Sequence, residues 1–544
     1  MVANGHFVQL LLTPWSKKQG GGDTERSQNS ATLDVVFRYL SPVTMITIRA
    51  YRLLSLVTLI MLSGLACSAM AHENAEQGSQ AEKTGTETWL AGDHHIHSRY
   101  SLGWDMETDP PTPVPGGDAI YPIPMNALMA KRHGLDWMVA TDHGGPNHAK
   151  IQLDHAYPEL LESRQAVPEV IQFFGMEFDT PGADHSSIIM PHSHDEAEHL
   201  HHIESNYSKR QPWPENKAWD TEPRMLEALD AMKALALPPV VIAHHPSRSA
   251  TDVGEYGLTT PAELRAWNDT APHIAIGMEG APGHQATGQM QPGIGPSMYE
   301  KYMGDKRPRG AYRESPTLGG FDQMSAIVGG FWDSMLGEGR RWWITATSDS
   351  HIHWREGGAD FWPGEYSKTY VLAEKNHDAI LASLRAGRVF VTTGDLISEL
   401  WVTVTAGDQR AGIGGSLSVA EGADVVVSIR FLDPDSNNFN GDNPAVSRVD
   451  LIIGNVNGPV DNPAVNSNPS TKVAARFDAS QWRREGPYQV IEYRLENVTR
   501  PLYLRVRGTN TEEAEPQPDP DNEDAWQDLW FYSNPVFVEI QGPQ

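Results

Sequence analysis

The chain is nearly devoid of cysteine: Cys67 is the single one in 544 residues. That excludes an internal disulfide and a thiolate-built metal site, so any metal centre must draw on His, Asp and Glu. Basic residues are scarce as well, with 42 Lys and Arg against 70 Asp and Glu and a formal net charge of −28. Without clustered cations to meet a phosphate backbone, no nucleic-acid partner is expected. No Gly-x-Gly-x-x-Gly opens a helix, which argues against an open dinucleotide-binding sheet, and no Gly-x-Ser-x-Gly elbow offers a serine nucleophile.

Long apolar runs are missing too, except for "LLSLVTLIMLSGLA" after Arg49 and Arg52. The run is too short and its far flank too polar for a stable membrane span, and Ala69-Met70-Ala71 supplies an A-x-A cleavage site. Residues 45–71 therefore read as a secretory signal cut after Ala71, with Met45 as the true start and residues 1–44 as an extension that does not fold. The mature protein is expected to be periplasmic or secreted.

What is abundant is histidine, and every one lies at or before His377. Five short stretches place metal-binding side chains directly after an apolar, strand-like run. They are His95-Ile96-His97 after "TWLAG", Asp142-His143 after "LDWMVAT", Glu177 within "VIQFFGMEF", His244-His245 after "PPVVIA", and Asp349-Ser350-His351 after "WWITATS". Residues i and i+2 of a strand share a face, so His95 with His97, and Asp349 with His351, can grip one ion. Barrel enzymes collect their catalytic groups at the carboxyl ends of strands, and five such coincidences point there together.

Strand-like and helix-like runs alternate across residues 87–397, the pattern of a parallel α/β domain. Helices are expected at "PMNALMAKRHG", "EPRMLEALDAMKALA", "GGFWDSMLGEG" and "NHDAILASLRAG", the last capped by Asn376 and ended by Gly387. Seven or eight strands over this length suit a distorted (β/α) barrel. Two long stretches, 191–217 and 281–320, read as loops bordering its mouth. Across residues 398–544 the pattern becomes short alternating strands such as "DVVVSIRFL" and "LYLRVRG", which predict an all-β immunoglobulin-like sandwich.

In the motifs "DHHIHSRYS", "GLDWMVATDH", "FGMEF", "VVIAHHP" and "TSDSHIH" the sequence resembles the polymerase-and-histidinol-phosphatase (PHP) metallohydrolases, in particular their secreted members with a C-terminal sandwich. The resemblance covers about residues 87–544. It implies two or three divalent ions, Mn, Zn or Fe, at the barrel mouth. It assigns the first ion to His95, His97 and Asp349, a bridge to Glu177, the second ion to His245, and the third to His143 and His351, with Asp142 beside them. A further ligand is best matched by His185, with His192 and His194 as rivals. Leu102 stands where the family carries Asp or His; either a neighbour such as Asp105 substitutes, or the third ion is weak or absent.

The implied activity is hydrolysis of small phosphate esters, mono- or diesters, by a metal-bridging hydroxide. His244 and His194 are the candidate proton donors. Arg248 is the candidate anion clamp, with Arg309 and Arg313 behind it. The same site would serve an amide, carbamate or carboxylic ester hydrolase. A non-catalytic metal-binding protein of the envelope is the third reading, suggested by Leu102 and by the cluster His199, His201 and His202.

Overall fold

The computed structural model describes residues 86–287 and 316–542, apart from 357, 359 and 520–523. The expected extension and signal, together with Arg309 and Arg313, lie outside the described residues. No helix among the described residues is long and apolar enough to cross a membrane.

The first half is mixed α/β. Its strands are β1 (Thr88–Asp93), β2 (Gly103–Asp105), β3 (Thr112–Val114), β4 (Trp137–Ala140), β5 (Ile171–Asp179), β6 (His185–Ile189), β7 (Val240–Ala243), β8 (Ala275–Pro282), β9 (Trp343–Thr347), β10 (Ser367–Ala373) and β11 (Val389–Thr393). All five motif-bearing apolar runs are strands. Every residue of β4, β7, β8 and β9 is buried, which is why these segments read as unbroken apolar runs and not as alternating ones.

Hydrogen bonding runs β1-β4-β5-β6-β7-β8-β9, parallel except at the two junctions of β6. The two ends of this run meet just beyond the strands. His97 N donates to Ser350 O at 3.0 Å, Asp349 N donates to His95 O at 2.9 Å, and Ile96 bridges Ser350 in parallel. Three motifs are thereby stitched together, because Thr141 N also donates to Ile96 O at 2.9 Å.

Helices cover the outside of this run: α1 (Ile123–Arg132), α2 (Tyr157–Ala166), α3 (Glu196–Tyr207), α4 (Glu222–Lys233), α5 (Pro261–Thr270), α6 (Phe331–Gly337) and α7 (His377–Arg385). The four expected helices are α1, α4, α6 and α7, and Asn376 caps α7 by accepting from Ala379 N. Helix α3 corrects the reading of 191–217 as a loop. Its buried residues Glu196, Ala197, Leu200, Ile203 and Glu204 fall on one face at helical spacing, and the buried carboxylates are matched by Arg164 and His148.

The C-terminal region is a largely antiparallel β structure: β12 (Glu399–Ala406), β13 (Gln409–Ala411), β14 (Ser416–Val419), β15 (Ala423–Leu432), β16 (Arg448–Asn455), β17 (Lys472–Asp478), β18 (Arg483–Glu485), β19 (Tyr488–Val498), β20 (Leu502–Thr509), β21 (Trp530–Ser533) and β22 (Val536–Ile540). Strands β13-β12-β15-β19-β18 form one sheet. In β15 the buried residues alternate strictly, as expected of a strand with one face on a core.

The other strands do not form a separate sheet. β21 pairs antiparallel with β11, with Thr392 opposite Phe531, so the central sheet of the first half continues into the C-terminal region. Side chains reinforce the junction. Arg505 on β20 donates from Nε and Nη2 to Asp333 on α6 at 2.9 and 2.8 Å, both residues being fully buried. Phe439, in the turn between β15 and β16, packs edge-on against His133 at the end of α1, ring centres 4.4 Å apart.

Candidate metal centre

The converging side chains come from the carboxyl ends of β1, β4, β5, β7 and β9, and the start of β6. The Glu177 carboxylate, at the end of β5, is the hub. Within 3.5 Å of its oxygens lie His95 Nε2 (3.2 Å), His97 Nε2 (3.5 Å), His185 Nδ1 (2.8 Å), His244 Nδ1 (3.0 Å) and His245 Nε2 (3.0 Å). Asp349 Oδ1 sits 2.9 Å from both His95 Nε2 and His97 Nε2.

Hydrogen bonding alone does not account for this crowding, since one carboxylate cannot accept from five rings. Nor do the close pairs all have hydrogen-bond geometry. Among the described residues, His95 Nε2 and His185 Nδ1 are buried and sit within 3 Å of carboxylate oxygens without the angles of a hydrogen bond. Lone pairs aimed at shared points rather than at donors are what a set of metal ligands presents. Two overlapping groups result, His95-Glu177-His244-His245 and His95-His97-Asp349, their ligand atoms within 4.8 Å of one another. The residues fit divalent ions.

The electrostatics follow from the same crowding. Burial alone would push the Glu177 and Asp349 carboxyls up, but the surrounding imidazoles, His185 and His95 for the first and His95 for the second, hold both well below the usual carboxylate range. Burial, then the neighbouring His95, lowers His244 to about 4, so its ring is neutral. The backbone is strained at two motif ends: His245 has φ 24° and Asp349 φ 51°, a region costly for side chains other than glycine.

Two of the ligands are held from behind. His95 Nδ1 contacts Glu279 Oε1 at 2.7 Å, and Thr347 Oγ1 donates to the same oxygen at 2.7 Å. His97 Nδ1 contacts Ser101 Oγ at 2.8 Å, and Ser101 Oγ in turn donates to Asp142 at 3.0 Å. A carboxylate behind a histidine fixes its tautomer and raises its basicity, and such partners orient metal ligands.

Asp142 is thus one layer back and not among the converging atoms. Both of its oxygens are taken by Ser98, through its backbone N at 2.5 Å and its Oγ at 2.7 Å, so it anchors the turn that carries His97. His194 is also outside the group: its side chain is 96% exposed, with Asp195 3.9 Å away. His192 stacks on His377, 4.3 Å between ring centres, leaving His185 as the histidine that reaches Glu177. His244 is buried within the cluster, its ring 3.5 Å from that of His95. Arg248 grips Asp184 through Nε (3.1 Å) and Nη2, which leaves it a paired cation beside His185. His199, His201 and His202 ride on α3 and belong to none of the ligand groups among the described residues.

His143 and His351 form, with His97, a third group on the solvent side, and His351 stacks on His97 at 3.9 Å. Leu102 is buried and Asp105 is exposed, its carboxylate engaged with Glu107 N, so neither reaches this group. Asp118 does, with Oδ2 2.7 Å from His143 Nε2 and 3.5 Å from His351 Nε2. His284 and Asp360, paired to each other, also reach His351.

Sequence reading missed Glu279, Asp118, His284 and Asp360. Glu279 carried a usable signal, since "HIAIGMEG" repeats the apolar-run-then-Glu pattern of "VIQFFGMEF". Asp118 carried none, lying in the turn-rich "PTPVPGGDAI". No protein-family model matches the chain, and no curated protein sequence matches it.

Proposed function

We propose that this protein is a metal-dependent hydrolase of small phosphate esters, built on a distorted (β/α) barrel of the PHP kind with an immunoglobulin-like sandwich, and exported to the periplasm or beyond. The observation that carries this reading is the Glu177 carboxylate, shared by His95 and His97 on one side and by His185, His244 and His245 on the other. One carboxylate between two imidazole sets is the arrangement expected for a pair of Mn, Zn or Fe(II) ions. Such ions would supply Lewis acidity and acidify a water towards neutral pH, which explains why no serine or cysteine nucleophile is needed. The meeting of Asp349 N with His95 O and of His97 N with Ser350 O supports closure of the β1-to-β9 run into a barrel.

The chain's own part is to orient and to exclude water. Glu279 and Ser101 fix the rings of His95 and His97, and full burial of those rings keeps competing solvent away. Two arginines on this side, among the described residues, are already matched, Arg248 by Asp184 and Arg210 by Asp179 at 3.5 Å. That favours a singly charged phosphodiester over a dianionic monoester, since little unpaired positive charge is offered by these side chains. It also keeps a second reading open, hydrolysis of an uncharged aryl ester, amide or carbamate at the same site.

The test is to load the purified protein with Mn, Zn or Fe(II) and assay bis(p-nitrophenyl) phosphate beside p-nitrophenyl acetate. Diester turnover that chelator abolishes and metal restores is the expected result. Turnover of the acetate alone would move the assignment to carbonyl chemistry. Bound metal with neither activity would leave a binding protein.

A further inference from the structure

Independently of the metal reading, we infer that the chain has a second binding site, a cleft at the amino end of β1 that takes a small monoanion bearing a flat ring. Its volume is about 500 Å³, within the range of about 300–1,000 Å³ in which proteins hold small molecules. One wall comes from the first half, through Trp89 on β1 and Arg388 just before β11. The other comes from the C-terminal region, through Trp401 and Thr403 on β12 and Arg410 on β13. Trp89 precedes His95 by six residues, and the rise of a strand sets the cleft roughly 20 Å from the metal centre at the carboxyl end.

The charge of the lining selects an anion. It holds two arginines and no carboxylate, in a chain whose acidic residues outnumber its basic ones 70 to 42. Arg388 is steered into place by Ser383 Oγ at 2.6 Å and by Glu87 Oε1 at 2.7 Å, which takes up its charge. Arg410 is exposed and pairs with no carboxylate among the described residues. One net positive charge therefore remains, and a guanidinium fork matches a carboxylate. The rings select a flat partner. Trp89 and Trp401 meet edge to face, 5.6 Å between ring centres and 67° between planes, so together they make an apolar corner. Glu399 accepts from Trp401 Nε1 at 3.0 Å, which fixes that ring. Arg410 stands opposite Thr405, and Thr405, Thr403 and Trp401 alternate onto one face of β12, so cation and indole lie on the same side of the sheet.

Glycine keeps the space between the walls. Gly412 follows β13 and lines the cleft; beyond its chain neighbours, a Cβ there would meet only Val402 O, at 3.7 Å, and its φ lies outside the left-handed region. The backbone would accept a larger residue, and the lack of one leaves the cleft open. Gly414 acts in the opposite sense. Its φ is 81° and a Cβ there would collide with Ala386 O, so the loop after β13 lies directly against the turn after α7. Gly414 N also donates to Pro535 O at 2.9 Å. Both walls are thereby fixed in place, and a ligand between them ties the first half to the C-terminal region.

The experiment is isothermal titration calorimetry of the whole protein with benzoate and glucuronate, and with their uncharged counterparts benzamide and methyl glucoside. At least one acid is expected to bind with a Kd of about 1 mM or tighter and to raise the Tm, its uncharged counterpart binding at least about 10-fold more weakly. Which acid binds tells an aromatic acid from a sugar acid as the source. Arg410→Gln should weaken that acid at least about 10-fold. Gly412→Leu should abolish binding by filling the space, with circular dichroism and metal content as in the wild type. Should Gly412→Leu fail to fold, Arg410→Gln, at an exposed side chain, still decides. An acid bound equally by wild type and Arg410→Gln sits elsewhere, for instance on the metal centre, and overturns the assignment. So does an uncharged counterpart binding as tightly as its acid, or no binding of either acid. Metal content, measured on the same samples, tests the metal reading separately.

Discussion

Glu279→Gln separates an orienting carboxylate from a merely buried one. In the wild type the carboxylate takes His95 Nδ1 and Thr347 Oγ1 on one oxygen and His245 N on the other, all from donors. An amide of the same shape offers only one acceptor atom. If its oxygen faces His95 and Thr347, its NH2 faces the His245 N–H and that bond is lost; turned around, its NH2 faces the His95 N–H and that bond is lost, while the Thr347 hydroxyl turns to accept. One unmade buried hydrogen bond costs about 1–3 kcal/mol. The lost charge also lowers the basicity of His95, and removing an outer-shell partner of this kind weakens metal binding about 10- to 100-fold, or about 1.4–2.7 kcal/mol. The assay is competition against a calibrated chelator, with the Tm of metal-free protein measured in parallel. A Tm that falls while metal affinity stays within about twofold would refute the orienting role.

Other expectations follow from the same structure. Burial depresses the His133 pKa to about 4 from 6.5, so its neutral form stabilises the fold above pH 6.5 and that stability is lost as pH falls towards 4, by on the order of 3 kcal/mol. His133→Leu should flatten the stability-versus-pH curve in that window when urea unfolding is compared with wild type; parallel curves would count against it. Arg505→Met leaves Asp333 as an uncompensated buried charge and should cost about 3–5 kcal/mol, read as a lowered urea midpoint. His194→Ala, at a side chain 96% exposed, should leave metal content and turnover as they are and change stability by less than about 0.5 kcal/mol.

Much of this was legible in the residues, and the reasons differ by element. The motif strands could be read because burial on both faces leaves nothing but apolar residues between the preceding turn and the ligand. Helix α3 was hidden because buried glutamates occupy part of its inner face, so its periodicity is only partly hydrophobic. Helix α5 went unread although Thr260, Pro261 and Glu263 form a complete capping box with proline in the first turn. At the site, adjacency in sequence misled once. Asp142 looks like a ligand because it precedes His143, yet successive residues leave a strand end in opposite directions, and it turns back to hold Ser98. Asp118 is fixed by contacts between loops, which no local pattern encodes.

The sheet shared through β11 and β21 also sets an order of events during synthesis. β11 leaves the ribosome with its outer edge bare, because the strand that covers it lies about 140 residues further along the chain. At ordinary elongation rates that gap lasts about 10 s, during which an open, apolar strand edge is available for pairing with any other chain. The ligand-bearing half therefore cannot be finished, or safely released, before the last strands are made. A chain stopped near residue 398 should yield aggregate rather than a smaller working domain.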